Sequence, residues 1–106
     1  MDEAIHVDRV DRLRIEIYAD RTALGVAAAL AARRTMREAI ARRGACRAIF
    51  AAAPSQNELL AELRRADDVP WPRVEAFHMD EYCGLPADSP SRFASFLRGA
   101  LFRHVP

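Results

Sequence analysis

Three short strand-like segments, each followed by a helix-forming stretch, constrain this chain more than any other feature. Leu13-Arg14-Ile15-Glu16-Ile17-Tyr18 alternates apolar with charged residues, the period of a half-buried strand. Cys46-Arg47-Ala48-Ile49-Phe50-Ala51-Ala52 is mostly apolar, as expected of a strand covered on both faces. Arg73-Val74-Glu75-Ala76-Phe77-His78 reads as a third strand. After the first of these, Asp20 stands where an N-cap carboxylate accepts an orphan backbone N–H. Residues 21–43 are rich in Ala and Arg, both strong helix formers. Leu24, Ala27, Ala28, Ala31, Met36 and Ile40 give that helix an apolar stripe, and Gly44 is placed to end it in the left-handed conformation. Residues 55–65 predict a second helix. Residues 90–103 predict a third, with Ser89 as its cap and Pro90 in its first turn.

The order β-α-β-α-β-α with short connections predicts an α/β fold, a Rossmann-like open parallel sheet with flanking helices. At 106 residues the chain has room for one domain and no more. Three strands are few for such a sheet, and the last helix should cover a strand not yet made. The expectation is therefore one incomplete domain over residues 1–106, with an open apolar sheet edge. A homo-oligomer is compatible with that picture.

Composition removes several functions. All 16 basic residues are arginine, interleaved with 15 acids to a net charge of +1, which leaves no basic field for nucleic acid. No apolar run approaches the roughly 20 residues a bilayer span needs. The start, MDEAIHVDRVDR, carries acids where a secretion signal has a basic flank and an apolar run. Cys46 and Cys83 share no metal-ligand spacing and are too few for a disulfide scaffold. These features predict a cytoplasmic protein with reduced thiols, no metal and no cofactor.

In open α/β sheets ligands bind beyond the carboxyl ends of the strands. Residues 52–58 and 78–85 lie there in this chain. Phe77-His78-Met79-Asp80-Glu81-Tyr82-Cys83-Gly84-Leu85-Pro86 resembles the signature of the glucosamine-6-phosphate deaminase/isomerase family, in which a strand ends in an aromatic-polar-Met-Asp-Glu-Tyr run followed by x-Gly-Leu-Pro. The similarity continues through Ser95-Phe96, Leu101-Phe102 and His104-Val105, while the first two βα units match in layout more than in residues.

The resemblance implies an enzyme that opens a sugar phosphate, moves a proton between C1 and C2, and expels ammonia from C2. It implies that Asp80 is the base. Flanked by Phe77, Met79 and Tyr82, that carboxylate is expected to be partly desolvated, which would raise its basicity. Glu81 completes the candidate catalytic pair. Neighbours on an extended segment point to opposite faces, so Glu81 is expected to hold the loop by hydrogen bonds. His78 is expected to be packed, Cys83 inert, and Gly84 to serve the geometry of the loop. Tyr82 is a candidate substrate contact or a core residue.

The family's phosphate loop, rich in Gly and Thr/Ser, is replaced here by Ala51-Ala52-Ala53-Pro54-Ser55-Gln56-Asn57-Glu58. Ser55, Gln56 and Asn57 bring side-chain donors to the place where the fold would take an anion. The same residues fit a capping box, Ser55-x-x-Glu58, which would satisfy the helix itself. A second helix start, Ser89-Pro90-Ser91-Arg92, has no acid of its own; Arg92 is expected to be an exposed surface arginine, with a phosphate contact there as the alternative. Expected partners are a small-molecule sugar phosphate, with no nucleic acid and no membrane. A 6-phosphogluconolactonase-like hydrolase of the same fold and a non-catalytic sugar-phosphate-binding module are the alternatives. The chain alone is expected to lack turnover.

Overall fold

The computed structural model describes residues 3–106. The elements are β1 (His6–Val10), β2 (Leu13–Ile17), α1 (Arg21–Arg43), β3 (Cys46–Phe50), α2 (Asn57–Arg64), β4 (Val74–His78) and α3 (Phe93–Ala100). Short 3-10 turns occupy Pro54–Gln56, Trp71–Arg73 and Phe102–His104. The α/β class is as expected, and β3 pairs in parallel with β4, Cys46 opposite Val74 and Phe50 opposite His78.

The first strand corrects the expectation. Leu13–Ile17 does not join the parallel sheet but pairs antiparallel with β1, Val10 opposite Leu13 and His6 opposite Ile17. The parallel sheet thus has two strands rather than three. A two-residue turn closes the hairpin, with Asp11 at φ 54°, a left-handed conformation that Asp tolerates better than most residues. β1 escaped sequence reading because Arg9 falls on the same face as Val7, and Val10 on the other, which breaks any apolar alternation.

α1 begins and ends where its sequence dictates. Asp20 Oδ1 accepts the Ala23 N–H at 2.8 Å, and Gly44, at φ 78°, donates its N–H to the Ile40 carbonyl. α1 crosses α2 closely because Gly25 has no side chain. A Cβ built there would lie 2.5 Å from Glu58 Cβ, closer than carbon atoms can stand. Three ion pairs bracket the crossing. Arg21 grips Glu58 with two bonds of 2.9 and 3.0 Å. Arg33 and Arg37 close on Asp68 at 2.8 and 2.7 Å.

The core gathers Met36 from α1, Cys46 and Phe50 from β3, Leu60 and Leu63 from α2, Val69 and Trp71, and Leu97 and Leu101. Phe102 meets the Phe50 ring edge-on at 5.4 Å between centroids. Leu97 and Leu101 are fully buried, and removing a leucine of that kind from water is worth about 1.5–3 kcal/mol. These contacts cover one face of the sheet. Ile49, 73% exposed, and Phe77, 48% exposed, stand on the other. The expectation that β3 is buried on both faces therefore fails, because among the described residues its Arg47 and Ile49 side is left exposed. Among the described residues no helix is long and apolar enough to cross a membrane.

Candidate active site

Because β3 and β4 run in parallel, their carboxyl ends lie side by side, and the Met79 N–H bonds the Phe50 carbonyl at 3.0 Å just beyond them. The two chain segments leaving that point are the ones the sequence singled out. Residues 51–56 lead from β3 into α2, and residues 79–92 lead from β4 into α3.

In the second segment the adjacent carboxylates of Asp80 and Glu81 have different fates. Asp80 is exposed, and its side chain makes no hydrogen bond or ion pair among the described residues. It is not capping a helix. Nor is it half-desolvated as expected, because Met79, Tyr82 and Phe77 beside it are themselves exposed and form no wall around it. Glu81 instead is bound from several directions. Its Oε1 accepts the Phe93 N–H at 2.8 Å and the Tyr82 N–H at 3.1 Å, and its Oε2 accepts the Ala94 N–H at 3.0 Å. His78 Nε2 lies 3.3 Å and Arg92 Nε 3.4 Å from the same Oε2, the latter an ion pair without hydrogen-bond alignment.

Glu81 therefore caps α3 from a distance of twelve residues. This corrects two expectations. Ser89 is not the cap: α3 starts at Phe93 rather than Pro90, and the Ser89 hydroxyl accepts only the Ser91 N–H. The α3 N-terminus is also not free of acid, since Glu81 fills it and draws Arg92 inward.

Burial works against the charge on Glu81, but the N–H groups of Ala94, Phe93 and Tyr82 and the Arg92 guanidinium outweigh it and bring its pKa down to about 2. A carboxylate lowered on folding contributes stability that is complete above its unfolded pKa of about 4.3 and is lost as pH falls toward about 2. Amide exchange at Phe93 and Ala94 is thus expected to quicken about tenfold or more, relative to intrinsic rates, between about pH 5 and pH 2. Glu81→Gln should show the same loss at neutral pH. Unchanged protection in that variant would remove Glu81 from this role.

The first segment also differs from expectation. The Ser55-x-x-Glu58 capping box does not form: Ser55 is exposed, and Glu58 turns to Arg21, which offers a charged partner across the helix crossing. Hydrogen bonding to Arg21 lowers the Glu58 pKa and raises that of Arg21. Arg21 Nη2 reaches further, to the Pro54 carbonyl at 3.1 Å, and so fixes the loop itself. Ser55 and Gln56 line a cavity of about 210 Å³ with Arg21, Gly25, Glu58 and Leu59. Asn57 is exposed next to it. Asp80, Glu81, Tyr82 and Gly84 do not line this cavity. Tyr82 is 56% exposed and lies against Phe93 at 4.8 Å between ring centroids, and Gly84 takes φ 84° in the loop. Arg21 is the residue that sequence reading missed. The one local hint was its place directly after the N-cap, which says nothing about a loop more than thirty residues away.

No protein-family model matches the chain. A stretch of 46 residues, 43% of the chain, is 44% identical to glucosamine-6-phosphate deaminase of Aliivibrio fischeri, where it covers 17% of the length. The same length is 46% identical to glucosamine-6-phosphate deaminase of Vibrio campbellii, again covering 17%. It is 41% identical to glucosamine-6-phosphate deaminase 1 of Pongo abelii, covering 16%.

Over that stretch the chain is similar to the glucosamine-6-phosphate deaminases.

It matches under a fifth of the length of those deaminases. The two parallel βα units are consistent with part of a Rossmann-like domain. The loop at residues 51–58 presents Ser55 and Gln56 beside an arginine that is itself ion-paired.

Proposed function

We propose that this chain carries βα units of an amino-sugar-phosphate isomerase of the glucosamine-6-phosphate deaminase kind, with Asp80 as the proton-transfer base. The observation that carries the reading is the division of labour between adjacent acids. Glu81 spends its lone pairs on α3, whereas Asp80, at the carboxyl end of β4, keeps its carboxylate uncommitted. A base must be free to accept a proton, and a cap must not be.

In the proposed reaction the open-chain aldehyde of glucosamine 6-phosphate loses its C2 proton to Asp80. The resulting enolamine, whose O1 takes a proton from the C2 ammonium, is protonated at C1 by the same carboxyl group, leaving an iminium at C2. Water adds at C2 and ammonia leaves, giving fructose 6-phosphate. Overall one water is consumed and one ammonia released. Ser55, Gln56 and Asn57 would meet the phosphate, with Tyr82 and the backbone at Gly84 bordering the sugar. Asp80 is exposed in these 106 residues, so this reading needs further walls around it, from the substrate or from other chain.

The test is a graft. Residues 74–105 of this chain replace the matching stretch of the Aliivibrio fischeri relative, and folding is checked by circular dichroism. Ammonia release from glucosamine 6-phosphate is the expected result. A folded graft that hydrolyses a 6-phospholactone and releases no ammonia would move the assignment to the hydrolases of this fold.

A further inference from the structure

The β1–β2 hairpin is the least buried part of the structure. Every residue of β1 is exposed, and in β2 only Ile15 is partly covered. Leu13 is 63% exposed. The chain is extended as a whole, with a radius of gyration of 15.3 Å against about 13 Å for a compact domain of this length. A two-stranded hairpin is at best marginal in water, and further strands or a helix packed on it are needed to steady one. Among the described residues, no strand lies beside the outer edge of β2.

That edge is complementary to itself. In an antiparallel pair related by a two-fold axis normal to the sheet, residues facing each other have numbers of equal parity. With the axis at Ile15, Arg14 stands opposite Glu16 of a second copy, and Glu16 opposite its Arg14. Leu13 then faces Ile17, and Ile15 faces Ile15. Shifting the axis to residue 14 sets Arg14 against Arg14, and shifting it to residue 16 sets Glu16 against Glu16. One register alone matches both the charges and the apolar side chains.

A second observation concerns Arg14. Within the hairpin it lies directly opposite Arg9, a like-charge pair that is unfavourable by itself. Its acid at present is Glu16 on its own strand, at 3.6 Å and largely exposed. A second copy would bring another carboxylate to the side of Arg14 away from Arg9.

We infer that the free edge of β2 binds a second copy of this chain, forming a four-stranded antiparallel sheet β1-β2-β2-β1 about a two-fold axis at Ile15. The interface is small, so the association is concentration-dependent and falls in the range of weak complexes.

Sedimentation equilibrium of the 106-residue chain over roughly 10 µM to 1 mM is the test, since small interfaces dissociate in that range. The expected result is a monomer–dimer equilibrium. Arg14→Glu should raise the dissociation constant about tenfold or more, since it sets glutamate against glutamate twice across the axis. The same change gives Arg9 an opposite-charged neighbour, so the hairpin itself is not weakened and circular dichroism should be unchanged. Glu16→Arg should weaken the dimer similarly, and the double charge swap Arg14→Glu with Glu16→Arg should restore it. A chain that stays monomeric throughout, or a dimer indifferent to Arg14→Glu, overturns the assignment. So does a pair of single variants that the swap fails to rescue.

Discussion

Asp80→Asn in the grafted deaminase is expected to lower ammonia release about a thousandfold while leaving KM within a few-fold. The amide keeps the size and most of the hydrogen-bonding capacity of the carboxylate. It loses the ability to take a proton from carbon. Asp80 makes no side-chain hydrogen bond among the described residues, so the variant should unfold within about 0.5 kcal/mol of its parent. Loss of turnover without loss of stability is the signature of a base. Equal turnover by the Asn variant would sink the proposed mechanism, and a large loss of stability would return Asp80 to a structural role. A binding module lacking chemistry would show unchanged affinity for the sugar phosphate and no turnover in either form.

Gly25→Ala is expected to destabilise the chain by about 2 kcal/mol. The new methyl would sit 2.5 Å from Glu58 Cβ and 3.0 Å from the Glu58 carbonyl carbon. Those are a Cβ and main chain, neither of which can swing aside as a side-chain tip could. The helices must part, and overpacking of this kind costs about 1–3 kcal/mol. Alanine's better helix propensity offsets about 1 kcal/mol of it. Parting the helices also stretches the Arg21–Glu58 pair, which adds to the loss. For a domain of this size the melting temperature should fall by roughly 10 °C. Glu58→Gly removes the atom in conflict, so the two changes should be coupled in a double-mutant cycle. Additive effects, or a Gly25→Ala chain as stable as its parent, would mean that the helices do not cross as closely as described.

How much of this was legible in the sequence depended on the range of the interaction. Asp20 and Gly44 bound α1 by rules that act within one turn, and both were readable. β3 followed from its mostly apolar run, and its parallel partner β4 from the strand-like segment Arg73–His78. β1 was not readable, because a strand with every residue exposed has no reason to alternate, and Asp11-Arg12 lacks the glycine that marks most tight hairpins. The hairpin in turn removed Leu13–Ile17 from the parallel sheet. At the site, the Asp80-Glu81 pair and the Ser55-Gln56-Asn57 loop could be picked out by position. The partners that decide what they do could not. Glu81 finds its donors at Phe93 and Ala94, and Glu58 finds Arg21, across separations that no local pattern encodes. The exposure of Asp80 was unreadable for a related reason: apolar neighbours in sequence become a dry wall only when something packs on them.

The long first helix has a consequence for the loop ahead of α2. Arg21, at one end of α1, holds the Pro54 carbonyl and Glu58, and Arg33 and Arg37, farther along, hold Asp68. α2 is thus slung from α1 at both of its ends, like a hammock from a beam. Residues 54–58 take their position from that beam rather than from the sheet they leave. A tilt of α1 would carry Ser55 and Gln56 with it while Asp80, just beyond β4, stayed behind, so the spacing between these two candidate segments would follow a helix that contains neither.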